Sequence, residues 1–492
     1  MMGRVLLPGL LMRGVRVVPL DGQPAAGPVD VLISADGRIA QAGPAVRAPG
    51  VPEVSGDGRW LIPGLWDAHV HLGQWALASR RLDLSGTSAP EEVLALAAAA
   101  ARRGHPVVGT GQRAGTWTRA VNVTELDAAC PQVPVILINS DYHHAWLNTA
   151  ALDALGLPRR DVVVAEAEWF AAYPMVAALE GPATPADYRR VLNGAAARGV
   201  AGLVDFEFDE PWSDWARRWP DGCDPLRIRW SPYAGQLASV RAAGLRTGDA
   251  LPGTAGGRLT VGSLKIISDG SLGTRTAWCC QPYADTGGFG APNQSPDELA
   301  ALIAEGHSAG LSVATHAIGD RALESALAAY AATGARGSIE HAQLTTAAAI
   351  AALARLGLVA SVQPAHLLDD HETTDRVWAD RAGRCFAFRS LLDQGVRLAL
   401  GSDAPVAPLD PWLAIATAGH RGQPGAPSWH PEQAITTAEA IAASVDGRRI
   451  APGQPGDVAL LDADPLASDP AALRAMRVAL TAVAGQVIHS AL

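Results

Sequence analysis

Cysteine is scarce in this sequence of 492 residues. Five are present, Cys130, Cys223, Cys279, Cys280 and Cys385, and none stands in a Cys-x-x-Cys or other zinc-binding spacing. A small odd number without such spacing argues against a disulfide framework and for a reducing compartment, the cytoplasm. Cys279 and Cys280 read as small buried apolar residues. Lysine is also scarce while Ala, Gly, Pro and Arg abound, which reflects coding bias rather than function. No basic cluster points to nucleic acid, and no long acidic tail is present. No clean run of about 18 or more apolar residues offers a membrane span. The apolar stretch "VLLPGLLM" is broken by Pro8 and Gly9 and lacks a convincing cleavage pattern, so a signal peptide is not expected. What remains is a protein of net charge −10 acting on a small-molecule substrate, with self-association as a homodimer left open.

Apolar residues, in contrast, make up 48% of the chain, enough for two to four domains or one large barrel with additions. Both ends alternate apolar and polar residues around tight turns. "GVRVVPLDG" and "VDVLISADGRIAQAG" open the chain, and "GDVALLDAD" and "VRVALTAVAGQVIHS" close it. Neither end has enough strands to bury a face alone, so residues 1–58 and 447–492 are expected to form one small β-sandwich. The body, 59–446, has a different rhythm of short apolar strands followed by Ala- and Leu-rich helices. The strand candidates are "GLWDAHVHL", "VAGLVDF", "LRIRWSPY", "VGSLKIIS", "LSVATHAI", "GSIEHAQL", "GLVASVQP" and "RLALGSD". Eight strands joined by crossover helices predict an α/β fold, a (β/α)8 TIM-like barrel. A doubly wound open sheet is the competing architecture. "HPVVGTG" and "VPVILINS" would make ten strands, so residues from about 73 to 195 are read as an insertion after the first strand. Its place there predicts that it narrows substrate choice.

The first barrel strand carries His69 and His71. Alternate residues of a strand share a face, so the two imidazoles point the same way. Alone, such a pair is more often two histidines satisfying each other in a polar core. The other strand ends change that weighting. Lys265, His316, His341 and Asp403 stand at or near the ends of later strands. In a barrel those C-terminal ends converge on one mouth. Four of the chain's 13 histidines, one aspartate and one lysine would line a single pocket, which reads as a metal centre. Lys265 sits inside an apolar strand, where burial favours the neutral amine. That amine can take up carbon dioxide as a carbamate, an anion with two oxygens able to bridge two cations.

The ordered set resembles the amidohydrolase superfamily, and within it the amidohydrolase 3 branch of metal-dependent hydrolases related to N-substituted formamide deformylase. The resemblance spans nearly the whole chain. It rests on "DGRIAQAG", "GLWDAHVHL", "DYHHAWLNTAALDALGL", "KIISDGSLGTRTA", "THAIGDRA", "IEHAQ", "VQPAHLLDD", "GSDAPV" and "PGQPGDVALLDADP". It implies that His69, His71 and Asp403 hold one divalent ion, that His316 and His341 hold a second, and that carboxylated Lys265 bridges them.

Histidine nitrogens with carboxylate-type oxygens suit Zn²⁺ first, with Fe²⁺, Mn²⁺ or Ni²⁺ as alternatives. Metal-activated hydroxide would attack a polarised carbon, with Asp403 as general base and then acid. The predicted reaction is hydrolysis of a non-peptide, amide-like C–N bond (the EC 3.5 class), in an N-formyl, N-acyl or cyclic amide. A lyase or isomerase using Asp403 as a proton shuttle, and a catalytically silent binding protein on the same fold, are the other readings. Trp117, His144 (with Asn148) and His366 are candidate substrate contacts. Asp320 is either a helix N-cap or a partner of a metal-binding histidine.

Overall fold

The computed structural model describes residues 9–22, 27–112, 114, 117–139, 144–208, 210–254 and 256–492. The chain divides into two compact units, residues 1–72 with 189–492, and Gly73–Tyr188.

In the first unit every predicted body segment contributes a strand. Leu65–Val70, Val200–Asp205, Arg227–Trp230 and Leu259–Val261 pair in that order, all parallel. Leu264–Ile267, Val313–Ala317, Gly337–His341, Val359–Val362 and Arg397–Leu400 pair in that order, also all parallel. Each strand lies beside its neighbours in sequence. A doubly wound sheet would instead reverse its strand order at a switch point. The strands are buried over most of their length, as parallel strands covered on both faces must be.

"VGSLKIIS" differs from expectation in being divided. Leu259–Val261 bonds to one neighbour and Leu264–Ile267 to the other, with only Gly262 and Ser263 between them. Gly262 is required there because a Cβ would stand 2.4 Å from Ser231 Oγ. The Gly262 N–H donates to Trp230 O at 2.6 Å and the Lys265 N–H to Pro232 O at 2.8 Å, so Lys265 is fixed by backbone on both sides of the break. The last parallel strand extends back to the first. Asp403 N–H donates to His69 O at 2.7 Å and His71 N–H to Ala404 O at 2.9 Å. Intervening helices begin on side-chain caps, among them Ser295, Thr346 and Asp410, each contributing about 1 kcal/mol. These caps set where the connecting helices start, and with them the positions of the strand ends.

The two ends of the chain share one hydrogen-bonded sheet in the same unit. Its order is Gln486–Ser490, Val478–Val483, Val458–Leu461, Trp60–Pro63, Leu10–Val17, Val29–Ile33 and Ile39–Gly43, with Glu53–Ser55 also on Leu10–Val17. Leu10, Met12, Val31, Ile33 and Leu61 from one end pack in one cluster with Val458, Leu460 and Leu480 from the other. The sheet takes in Trp60–Pro63, beyond residue 58. It is tied to the parallel strands by Asp457, whose buried carboxylate accepts from Arg227 Nε at 2.6 Å and Nη2 at 3.0 Å, and pairs with Arg448. Asp457→Ala leaves the largely buried Arg227 guanidinium without its carboxylate and Arg448 with only the more distant Asp446, at 3.8 Å. It is expected to lower unfolding stability by about 3–5 kcal/mol, read from denaturant titration. A loss below about 1 kcal/mol would show that water or other groups replace it.

The second unit has its own five-stranded sheet, ordered Val164–Ala165, His144–Leu147, Val135–Asn139, Val107–Gln112 and Leu82–Asp83. "HPVVGTG" and "VPVILINS" are therefore strands of this sheet and not of the parallel pair. Two apolar clusters fill the unit, one around Trp169, Ile136 and Ile138, the other around Val93, Leu126 and Leu137. Among the described residues, no helix is long and apolar enough to cross a membrane. All five cysteines are free, and Cys280 is exposed where burial was expected.

Candidate active site

The ends of the parallel strands bring the predicted residues of this unit into one cluster. The His69 ring lies 5.5 Å from that of His71 and 5.1 Å from that of His341, centre to centre. His341 is in turn 4.5 Å from His316 and 6.1 Å from His366. Asp403 joins them. Its Oδ1 is 3.2 Å from His71 Nε2 and 3.5 Å from His69 Nε2, and its Oδ2 is 3.9 Å from His366 Nε2. Lys265 Nζ stands 3.3 Å from His69 Nε2. This amine belongs to the only lysine in a chain with 39 Lys and Arg residues, and it is buried.

Two of these residues hold backbone conformations that side chains rarely adopt. His341 has φ 70° and Asp403 has φ 59°, each costing on the order of 1–3 kcal/mol unless its surroundings impose it. The surroundings of Asp403 do so. The Asp67 carboxylate accepts the N–H groups of His69 and Ser402, at 3.1 and 3.0 Å, clamping the first and last parallel strands together. Gly401 permits that approach, since a Cβ there would lie 3.0 Å from His69 Cβ.

Burial governs the charges. It lowers His69 and brings His316 to about 3, in both cases with help from the Lys265 charge. It also takes His341 well below the ordinary range. These imidazoles are therefore neutral, the form that binds cations. Burial brings Lys265 down to about 8, against the upward pull of Glu340 and Asp403. For Asp403 burial acts upward, but attraction to His69, His341 and His366 in their charged forms and the hydrogen bond to His71 hold it well below the usual carboxylate range. The cluster thus offers neutral nitrogens, one carboxylate and an amine that loses its proton readily.

Glu340 and Asp269 carry no signal in the sequence reading, yet each orients a histidine. Glu340 Oε2 is 2.8 Å from His69 Nδ1, so the proton resides on Nδ1 and the Nε2 lone pair faces the cluster. Glu340→Ala is expected to weaken divalent-metal affinity about 10–100-fold, measured by metal titration of the stripped protein. Unchanged affinity would show that His69 keeps its orientation without the carboxylate. His316 Nε2 donates to Gly270 O at 3.2 Å and lies 3.4 Å from Asp269 Oδ1, leaving Nδ1 with the lone pair. Asp269 accepts the N–H groups of Trp278, Ile318 and Gly319, and burial raises it to about 7.

Other expectations are redirected. Asp320 is the first residue of its helix, after Gly319 as N-cap; it accepts from Cys280 N–H at 2.8 Å and pairs with Arg384 at 3.5 Å, so among the described residues its partners are not histidines. Asn148 caps the helix Thr149–Ala154 and donates to Cys130 O and Val133 O, so its side chain is committed to structure. Trp117 packs edge-on against Trp146, and His144 opens a short strand, both within the second unit.

The donor set fits a divalent cation. Among the described residues, His69, His71 and Asp403 each bring one ligand atom within 4.8 Å of the others, as do His341, His366 and Asp403. His71 Nδ1, His341 Nδ1, His366 Nε2 and Asp403 Oδ1 are buried yet make no hydrogen bond. Each such atom costs about 1–3 kcal/mol, and a cation bound among them would relieve part of that cost.

Buried nitrogens and a carboxylate at the ends of parallel strands, on a TIM-barrel-like α/β fold, make a centre fit for a divalent metal, and its relatives place the protein among metal-dependent hydrolases. A crystal structure of an uncharacterized metal-dependent hydrolase from Pyrococcus horikoshii aligns with a TM-score of 0.78 at 25% identity, covering 94% of this chain and 99% of that one. The chain belongs to the amidohydrolase family, whose model matches residues 53–489. It is 28% identical to YtcJ of Bacillus subtilis, over 90% of this chain and 91% of that protein. It is 26% identical to the N-substituted formamide deformylase of Arthrobacter pascens, over 92% and 94%. The family resemblance read from the sequence holds.

Proposed function

We propose that this protein hydrolyses an amide-like C–N bond in a small non-peptide molecule, at a centre of two divalent ions, zinc by preference. The observation that carries this reading is the convergence of His69, His71 and Asp403, two imidazoles and a carboxylate held ionised, on one buried point. In this reading the parallel strands close into a (β/α)8 barrel through the divided strand at Gly262 and the bonds between His69 and Asp403. His69, His71 and Asp403 would hold one ion. His341 and His316 would serve the second, with Lys265 between the two ions as a carbamate.

A bound divalent cation supplies Lewis acidity and brings the pKa of water down to about 7. The remaining work falls to the chain. Glu340 fixes His69 with its lone pair inward. Asp403, held ionised, accepts a proton at a carboxylate oxygen and returns it to the leaving nitrogen. Phe208, half exposed and stacked on His71 at 4.9 Å, offers an apolar face to a substituent on the substrate. The relative that deformylates N-substituted formamides supports N-formyl amines as the first class to examine, before N-acyl and cyclic amides. The test is metal analysis of the purified protein together with amine release from those three classes. Bound metal without release from any of them overturns the substrate class. Protein that takes up no divalent ion overturns the centre itself.

A further inference from the structure

His366 was a candidate substrate contact, but its surroundings are those of a ligand. It ends the turn Pro364–His366, directly after the parallel strand Val359–Val362. Its ring stacks on that of His341, with an interplanar angle of 23°. Its Nε2 is buried without a hydrogen bond and lies 3.9 Å from Asp403 Oδ2. Asp403 is thereby divided, with Oδ1 toward His69 and His71 and Oδ2 toward His366. One ligand atom each from His341, His366 and Asp403 falls within 4.8 Å of the others, the same closeness that joins His69, His71 and Asp403. Among the described residues His316 belongs to neither group of three; its Nε2 is engaged by Gly270 O, and its Nδ1 lone pair stays available to the same ion from the other side of His341.

We propose that His366 is a metal ligand, completing with His341 and Asp403 the position of the second ion, so that one carboxylate serves both cations. Two imidazoles and a shared carboxylate suit Zn²⁺, Mn²⁺, Fe²⁺ or Co²⁺ rather than Mg²⁺ or Ca²⁺, whose ligands are oxygens.

This inference rests on the two-ion reading of the centre, and the experiment separates the two. Full-length protein is stripped with a chelator and titrated with Co²⁺, following the visible spectrum and the bound metal. Wild type is expected to take up two ions. His366→Ala should bind one ion as wild type does and the second about tenfold or more weakly. His366→Gln, closer in volume, should do the same, and it decides the matter if the alanine variant loses its circular dichroism. His71→Ala should weaken the other ion. If wild type binds two ions and both His366 variants bind them as tightly, His366 is not a ligand and the inference falls while the two-ion centre stands. If wild type binds one ion and the His366 variants keep it, the second position falls and the hydrolase reading stands. If wild type binds none, the centre itself falls.

Discussion

At the proposed two-ion centre, Lys265→Ala is expected to release one ion and to lower turnover about 100-fold or more, by comparison with changes to groups that merely orient metal ligands. The reason is charge. Two divalent ions facing neutral imidazoles, the Asp403 carboxylate and the buried Glu340 carboxylate behind His69 leave two formal positive charges uncompensated. An amine adds nothing to that balance, whereas a carbamate adds a negative charge and two oxygens. Burial already holds Lys265 near a pKa of about 8, so a useful fraction of neutral amine exists at mildly alkaline pH. Its lone pair can attack carbon dioxide, and the ammonium proton leaves to solvent. Supplying a short carboxylic acid to the alanine variant should restore part of the activity, because a free carboxylate can enter the same gap. The composition makes the modification directly visible. With one lysine in the chain, protein loaded with metal in ¹³C-bicarbonate should show one side-chain carbamate resonance, absent from Lys265→Ala. A variant that keeps both ions and normal turnover would remove Lys265 from the centre.

The second large effect is expected at Asp403. Asp403→Asn should retain part of the metal, since an amide oxygen still ligates, but lose about 10²-fold or more in kcat because the amide accepts no proton. Asparagine is the informative change. Aspartate and asparagine are among the few non-glycine residues that adopt left-handed backbone readily, so the φ of 59° is not disturbed. Alanine would add backbone strain to the chemical loss and confuse the two. Near-normal kcat in the asparagine variant at full metal content would show that another group moves the proton.

Much of this centre was legible because strand geometry is regular. Two-residue spacing put His69 and His71 on one face, and the ends of successive apolar strands placed Lys265, His316, His341 and Asp403 around them. Asp67 was legible by the same rule, since it shares the face of His69 in "DAHVH", but nothing in the sequence distinguished it from an ordinary buried aspartate. Glu340 was not legible. Alternation sets Glu340 and His341 on opposite faces, and only the left-handed turn at His341 lets the pair serve the same cluster. Asp269 lies in a loop, where no period applies. In the fold, the alternating segments at both ends were readable one by one. The membership of Trp60–Pro63 was not, because "WLIPGLW" runs unbroken in hydrophobicity from the terminal sheet into the strand that carries the histidines.

That shared sheet has a consequence for the order in which the molecule is made. Trp60–Pro63 leaves the ribosome early, and its antiparallel neighbour Val458–Leu461 follows roughly 400 residues later. At translation rates of about 5–20 residues per second, the edge beside His69 waits about 20–80 seconds for its partner. Asp403 also arrives late. The nascent chain therefore displays two histidines long before it can discriminate among cations, and any ion captured then is held without the groups that would select it.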